Sequence, residues 1–445
     1  MNREIFKNFC RYVAFNILGQ IAYSCYTLAD TFFVSVKTGT NGLTALNLAF
    51  PVFCLISGIG LMIGIGGGTR YSILKSQNEH HAANRVFTNA VFLAIAFAVV
   101  FFFSGLFFSD TLVRLLGADD KVFAITNIYL KVLMLFSPAF LLNHLLQCFV
   151  RNDGQPSLSM AAMMIGSVSN IILDYIFIFP LKMGIFGAAF ATGLSPVISM
   201  LVLSSYFVKK RNGFHFEKSS TSAFCTDRDC FRNIITNGIP PFLTEAASGV
   251  VMFLFNFIIL RLTGNTGVAA FGVITVISLV VIALYTGLSQ GMQPLISRNF
   301  GLQNMENVHT LLKHSLITAF LLSALIYSVI FFNAPLFVSV FNSENDPVLR
   351  DYAIRGLRLY FTACPFIGLN IVLSTYFISI NKPVPAQIIS FLRSFFVLIP
   401  MAFLLSSLWE MTGIWCAYPM TELVVATVTG FLCFRYFSSS KNPHI

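Results

Sequence analysis

Thr38–Leu46 reads TGTNGLTAL, and Thr263–Phe271 reads TGNTGVAAF, 225 residues further on in a chain of 445. Ser72 and Ser297 keep that spacing. Pro138, Asn143 and Pro156 recur as Pro365, Asn370 and Pro383, all offset by 227. The sequence therefore reads as one half used twice, and its fold should be the fold of a half, duplicated.

The composition says what a half is made of. Hydrophobic residues make up 56% of the chain, charged residues 10%, and Phe alone fills 49 positions. A soluble domain carries about 25% charged residues. No water-soluble fold of this size hides so much apolar surface, so the solvent is a bilayer. Apolar stretches long enough to cross fall near 12–36, 43–68, 86–109, 122–150, 157–180, 185–208, 236–262, 268–295, 310–333, 351–378, 384–406 and 412–436. That is six in each half. An even repeat keeps its orientation, so the halves should be related by an axis along the membrane normal, with a cleft between them. The expected fold is an all-α integral membrane protein with twelve transmembrane helices in two pseudo-symmetric six-helix bundles. Residues 1–208 form an N-terminal lobe, 209–235 a cytoplasmic linker and 236–445 a C-terminal lobe. This is a transporter architecture. A large receptor or an intramembrane enzyme needs no duplicated bundles, and the chain is read as no enzyme.

The net charge of +10 would suggest nucleic acid in a soluble protein, but its placement has a simpler meaning. With the N-terminus inside, 18 of the 28 Lys and Arg fall in inside segments, nine outside, and Arg393 within a span. That bias places both termini in the cytoplasm, and the basic run after Val208 is a topology signal. The opening MNREIFKNFCRYVAF lacks a small-residue cleavage site and reads as a first membrane helix. Most of the nine Cys lie in apolar runs, as reduced thiols would; Cys225 and Cys230 in CTDRDC match no common zinc spacing and read as plain thiols too. GIGLMIGIGGG, from Gly58, has no Lys-Ser/Thr after it and lies inside a span, so no nucleotide is expected.

Ionisable groups inside spans cost about 2.5–3.5 kcal/mol each on insertion scales and mark function by default. Here they are Asp30, Asp174, Glu245, Glu422 and Arg393. Asp30, Asp174, Thr192 and Tyr129 all lie about six or seven residues from the outer ends of spans 1, 5, 6 and 4, hence at one level roughly 10 Å deep. Asn170 lies one turn below Asp174 on the same face. Span 1 carries a polar stripe of Asn16, Gln20, Tyr23, Thr27 and Asp30. Two carboxylates at one level in low dielectric repel, so the pair would hold a proton, or accept Na⁺ with Asn and Thr oxygens completing the shell. The plainer reading is that they hydrogen-bond helices together, but two buried acids with no cation nearby make a poor structural device. Thr192 alone is more often a hydroxyl bonded back onto its own helix; its level with the acids is what singles it out. In the second half Glu245 shares a stripe with Ser248 and Met252. It either meets a cationic substrate or pairs with Arg393. Glu422 is a second acid for substrate, or itself the partner of Arg393. His144 is a packed polar residue or a proton relay.

Five stretches carry a family resemblance: YTLADTFFVSVKTGTNGLTALNLAFP from Tyr26, RNDGQPSLSM from Arg151, NIILDYIFIF from Asn170, MGIFGAAFAT from Met183 and GLSQGMQPLISRNFG from Gly287. Together they resemble the multidrug and toxic compound extrusion (MATE) family along the whole chain, nearest its DinF/MepA-like bacterial branch. The resemblance implies two rocking lobes and antiport of amphiphilic, often cationic compounds against H⁺ or Na⁺. It places the first-lobe cation site on Asp30, Asn170, Asp174 and Thr192, with Tyr129 joining the network. Those first four would be the Na⁺ ligands. Many members bend helix 1 at a proline, and span 1 has none. Another branch pairs a helix 7 Glu with a helix 10 Asp; Glu245 matches the first, but span 10 offers only Asn370. The substrate cleft is expected to use Glu245, Met252, Asn370, Glu422 and Arg393. No cofactor is expected beyond the coupling ion, and the partners are small amphiphiles and the lipid bilayer, with the protein a monomer in the bacterial cytoplasmic membrane. The alternative within the wider superfamily is a flippase of lipid-linked precursors. A third reading, a non-transporting sensor, finds no output domain in the mid-chain loop.

Overall fold

The computed structural model describes residues 3–210, 212–217, 228–342 and 346–441. Helical backbone covers Arg3–Ser76 and again Arg228–Gly301, 74 residues each, broken within each run at a single glycine. A straight helix of that length would measure about 110 Å, several times a hydrocarbon core. Each run instead reverses at the first glycine of the repeat motif. Gly39 has φ 64° and ψ −151°, and Gly264 has φ 67° and ψ −154°. Only glycine reaches that region without strain. The preceding threonines donate back onto their own helices, Thr38 to the Val34 carbonyl at 2.7 Å and Thr263 to the Ile259 carbonyl at 3.4 Å. A Cβ at Gly42 or Gly267 would overlap those hydroxyls. Thr-Gly-x-x-Gly is thus a helical hairpin corner, built identically in both halves.

Eight helices among the described residues are long and apolar enough to cross a membrane. Three of them contain a reversal, the third at Trp409 and Glu410. Phe123–Leu135 and Ser137–Asn152 add one more span, bent by 47° at their junction. Twelve spans result: 3–38, 40–76, 80–107, 123–152, 156–178, 184–208, 228–263, 265–301, 305–341, 347–379, 383–408 and 411–441. The bend of span 4 falls at Pro138, and span 10 breaks into a short 3₁₀ turn, Phe361–Ala363, just before Pro365. The paired prolines therefore mark one broken helix in each half, as the missing amide and ring clash require.

Exposed Phe32, Phe103, Phe107, Phe332, Phe431 and Phe434 face outward, as lipid contact allows. Spans 1 and 8 touch backbone to backbone across the molecule, in the half nearer the chain ends: a Cβ on Gly287 would come within 2.6 Å of the Ile17 Cα, and one on Gly291 within 2.7 Å of the Val13 Cα. Spans 2 and 7 do the same at Gly66 against the Ile234 carbonyl and Gly238 against the Met62 carbonyl. Small residues let helices approach this closely in a bilayer. The two halves are therefore zipped together toward the face that carries both chain ends.

Three features differ from the sequence expectation. Among the described residues the helix of span 7 already runs from Arg228, eight residues before the apolar stretch, with RDCFRNII as part of it; hydropathy finds the apolar stretch and not the helix end. A short helix, Ser109–Leu115, caps span 3. The described part of the mid-chain segment, 212–217, is strapped onto the first half. Phe214 is fully buried among Tyr71, Phe87, Phe149, Tyr206 and Phe207. Gly213 donates to Asp153 at 2.6 Å, His215 to Asn84 at 3.0 Å and Glu217 to Thr88 at 3.0 Å. Cys225 of the CTDRDC stretch, with Arg211 and Lys218 of the basic run, lies outside the described residues.

Candidate coupling site and substrate cavity

Span 1 is one continuous helix up to Gly39, and its stripe turns Asp30 inward toward span 5. Asp30, Asn170, Asp174, Thr192 and Tyr129 are all buried, Asn170 and Asp174 completely. Asp30 and Asp174 lie close enough to feel each other's charge, and the Tyr129 hydroxyl sits among both acids and Thr192. Six polar atoms here lack a hydrogen-bond partner: Asp30 Oδ1, both Asn170 side-chain heteroatoms, both Asp174 oxygens and Thr192 Oγ1. A buried polar group left unmade costs about 1–3 kcal/mol. Six in one cluster do not suit a helix clamp; their chemistry is that of groups able to hold a proton, a small cation or water. Among the described residues, no three of His, Cys, Asp and Glu converge as a metal site. A cation would therefore depend on two carboxylates plus the Asn170 and Thr192 oxygens. Tyr26 joins the cluster, next to both acids and one turn before Asp30. Sequence reasoning passed over it, although the i, i+4 spacing was there to be used.

The repeat places Phe255 opposite Asp30 at offset 225, and Met401 opposite Asp174 at offset 227. The second half thus has the same helices with apolar residues at the matching points. Its charges lie elsewhere. Arg393 sits in a single π-helical turn, Leu392–Phe396, and its Nε donates to Glu422 Oε1 at 2.5 Å. Asn370 donates to the other Glu422 oxygen at 2.8 Å and accepts from Thr429 at 3.0 Å. The Arg393–Glu422 pair is therefore the one formed, and the Glu245–Arg393 alternative is not. Glu422 stands fully buried behind Arg393, outside the cavity wall where it was expected. Neutralised and hydrogen-bonded, it offers a substrate no free charge.

Between the halves lies a cavity of about 290 Å³. Glu245, Ser248 and Met252 of span 7 line it, with Asn370 and Arg393 opposite. A smaller chamber of about 90 Å³ extends into the first half past Gln20, Tyr23, Asn143, His144 and Gln147. Glu245 borders both chambers and has no ion-pair partner among the described residues. His144 packs against Gly60 in the chamber wall.

Arg151 also borders both chambers. By its position just past the apolar stretch 122–150 it is one of the 18 inside Lys and Arg of the topology signal. It is only 2% exposed and crosses the seam, donating to Gln290 Oε1 at 2.7 Å and Asn16 Oδ1 at 3.2 Å. No hydropathy window could have found it, because the side chain leaves a helix end sideways into the interface.

The family profile of MatE matches residues 16–176 and 240–404, once in each half. The chain belongs to the MatE family, a family of membrane transporters. Among curated proteins it is similar to the multidrug export protein MepA of Staphylococcus saprophyticus, with 26% identity over 95% of this chain and 92% of that one. MepA of Staphylococcus haemolyticus shows 26% identity over 99% and 94%. A crystal structure of MATE in complex with MaL6 superposes with a TM-score of 0.91 at 25% identity, covering 98% of this chain and 96% of that one. An outward-facing multidrug resistance MATE transporter of the MOP superfamily gives a TM-score of 0.90 at 25% identity, with the same coverage.

Proposed function

We propose that this transporter exports amphiphilic, often cationic compounds from the bacterial cytoplasm in exchange for H⁺ or Na⁺. Asp30, Asn170, Asp174 and Thr192, with Tyr129, take the coupling ion. Glu245, Met252, Asn370 and Arg393 face the substrate, Arg393 with its charge already matched by Glu422. The observation that carries this reading is the separation of two kinds of free acid: an orphaned pair within one bundle, and a lone carboxylate on a drug-sized apolar cavity between bundles. The first suits a small ion that must be bound and released; the second suits a large cation held by shape and one charge. Residues 1–208 and 236–445 act as the rocking lobes, joined by 209–235. With both termini cytoplasmic, as the Lys/Arg bias supports, the zipped seam closes the inner side, and the cavity belongs to an outward-open form. The MepA and MATE relatives support export over lipid flipping.

One charge crossing 100 mV is worth about 2.3 kcal/mol, enough for a roughly 50-fold gradient of a neutral substrate. The test is drug efflux from proteoliposomes under an imposed pH gradient and then a sodium gradient. Uphill efflux under either gradient is expected; none under both would overturn the antiport reading.

A further inference from the structure

Arg151 is a buried cation with no anion. Its partners are the amide oxygens of Gln290 and Asn16, and the Cys148 sulfur, which accepts from Nη2 at 3.4 Å. Nε has no partner. Among the described residues no carboxylate lies within ion-pair distance. The adjacent Asp153 faces away, taken up by Lys75, by the Tyr71 and Tyr206 hydroxyls and by the Gly213 amide. Gln290 Oε1 also accepts from Gln20 at 3.2 Å, so the one good acceptor of the guanidinium is neutral and shared.

Arg393 supplies the comparison within the same molecule. It too lines the cavity, but its charge is met by the Glu422 carboxylate, with Nη2 donating to the Tyr418 hydroxyl. An unpaired charge at this depth is costly, and such groups mark ligand or ion paths. The planar guanidinium fork matches a carboxylate or phosphate with two parallel hydrogen bonds. At Arg151 the fork holds an amide oxygen where a carboxylate would bind far better. Glu245 borders the same two chambers and is the complementary free charge.

We propose that Arg151 is an anion-accepting subsite at the floor of the central cavity. It takes the carboxylate, or another planar oxyanion, of an amphiphile whose cationic end faces Glu245. Gln290 is the placeholder that the incoming anion displaces. The transporter then handles zwitterionic amphiphiles as well as simple cations. This rests on the exporter reading above.

The test uses a matched pair of dyes: a rhodamine with a free ortho-carboxylate and its methyl ester, which is a plain cation. Their affinities are measured by fluorescence anisotropy on the purified full-length protein. Wild type should bind the acid at least as tightly as the ester. Arg151→Gln should weaken the acid about tenfold or more, the worth of a charge-assisted hydrogen bond, while the ester binds as well or better. Arg151→Lys should keep part of the acid's affinity. Gln290→Glu fills the fork from within and should remove the acid's advantage without touching Arg151. Equal weakening of both dyes in Arg151→Gln, or none, would overturn the subsite. If that variant does not fold, acid affinity unchanged in Gln290→Glu overturns it. Ester binding without acid binding in wild type would overturn the subsite and leave the exporter reading standing. Binding of neither dye would overturn both.

Discussion

At the residue scale, the chain separates acids by what surrounds them. Glu422 is held by Arg393 and Asn370. Asp30 and Asp174 have each other and a set of unsatisfied neutral oxygens. The first arrangement is finished and the second is waiting. Asp30→Asn and Asp174→Asn are each expected to abolish uphill efflux in proteoliposomes while expression stays at the wild-type level. An amide keeps the shape and cannot exchange a proton or balance a cation. Full drug resistance in cells carrying either variant would remove the pair from the coupling step. Glu245→Gln has a different expected signature. It should lower the affinity for cationic substrates more than for neutral ones and leave the response to pH and sodium gradients in place. Loss of the gradient response with normal drug binding would reverse the roles assigned to the two acids.

At the element scale, the hairpin corners carry the duplication. Gly39 and Gly264 hold the same unusual backbone angles, and prolines break span 4 and span 10 at matched points. A β-branched residue cannot take φ near +64° with ψ near −151° without strain of about 1–3 kcal/mol or more. Gly39→Val and Gly264→Val should therefore each lower the thermal unfolding midpoint of the detergent-solubilised protein, and by similar amounts, since the two corners are the same structure. Gly117→Val, also at positive φ but in a loop away from these corners, is the control for generic backbone strain. If only one corner is sensitive, the two halves do not rest on equivalent hairpins.

At the scale of the whole molecule, glycines join the two halves on the face that carries both chain ends, and the proposed outward opening rests on that seam. Spans 1 and 8, and 2 and 7, meet through glycines near the chain ends. A Cβ at Gly238 would overlap the Met62 carbonyl, and the neighbour that would have to move is backbone. Gly238→Val should therefore unzip this face and shift the population toward the opposite opening. Cys148 is a native reporter: it lies in the smaller chamber, nearly fully buried, against Arg151. Its modification by a membrane-impermeant thiol reagent added from the terminal face should speed up severalfold in Gly238→Val. An unchanged rate would mean that this seam does not gate the cavity. The strap over 212–217 belongs to the same scale. There Phe214 is locked into the first half, among Tyr71, Phe87, Phe149, Tyr206 and Phe207.

The amino-acid sequence by itself determined the bilayer as solvent, the twelve spans and the duplication. All of these depend on local composition or on spacing along one helix, and both are written linearly. It also set Asn170 beside Asp174, because residues four apart share a helix face. Tertiary structure alone decided who pairs with whom. Arg393 had two acids within reach of the argument, Glu245 and Glu422, and the choice fell to the packing of span 12 against spans 10 and 11. That left Glu245 on the cavity as a free charge. Arg151 counts in the sequence only as one of the inside Lys and Arg, and only the approach of span 8 across the seam made it a buried cation. Hydropathy and periodicity describe how a residue sits on its own helix. A free or a satisfied charge is a property of two helices at once, fixed by distances of a few ångströms between segments far apart in the chain.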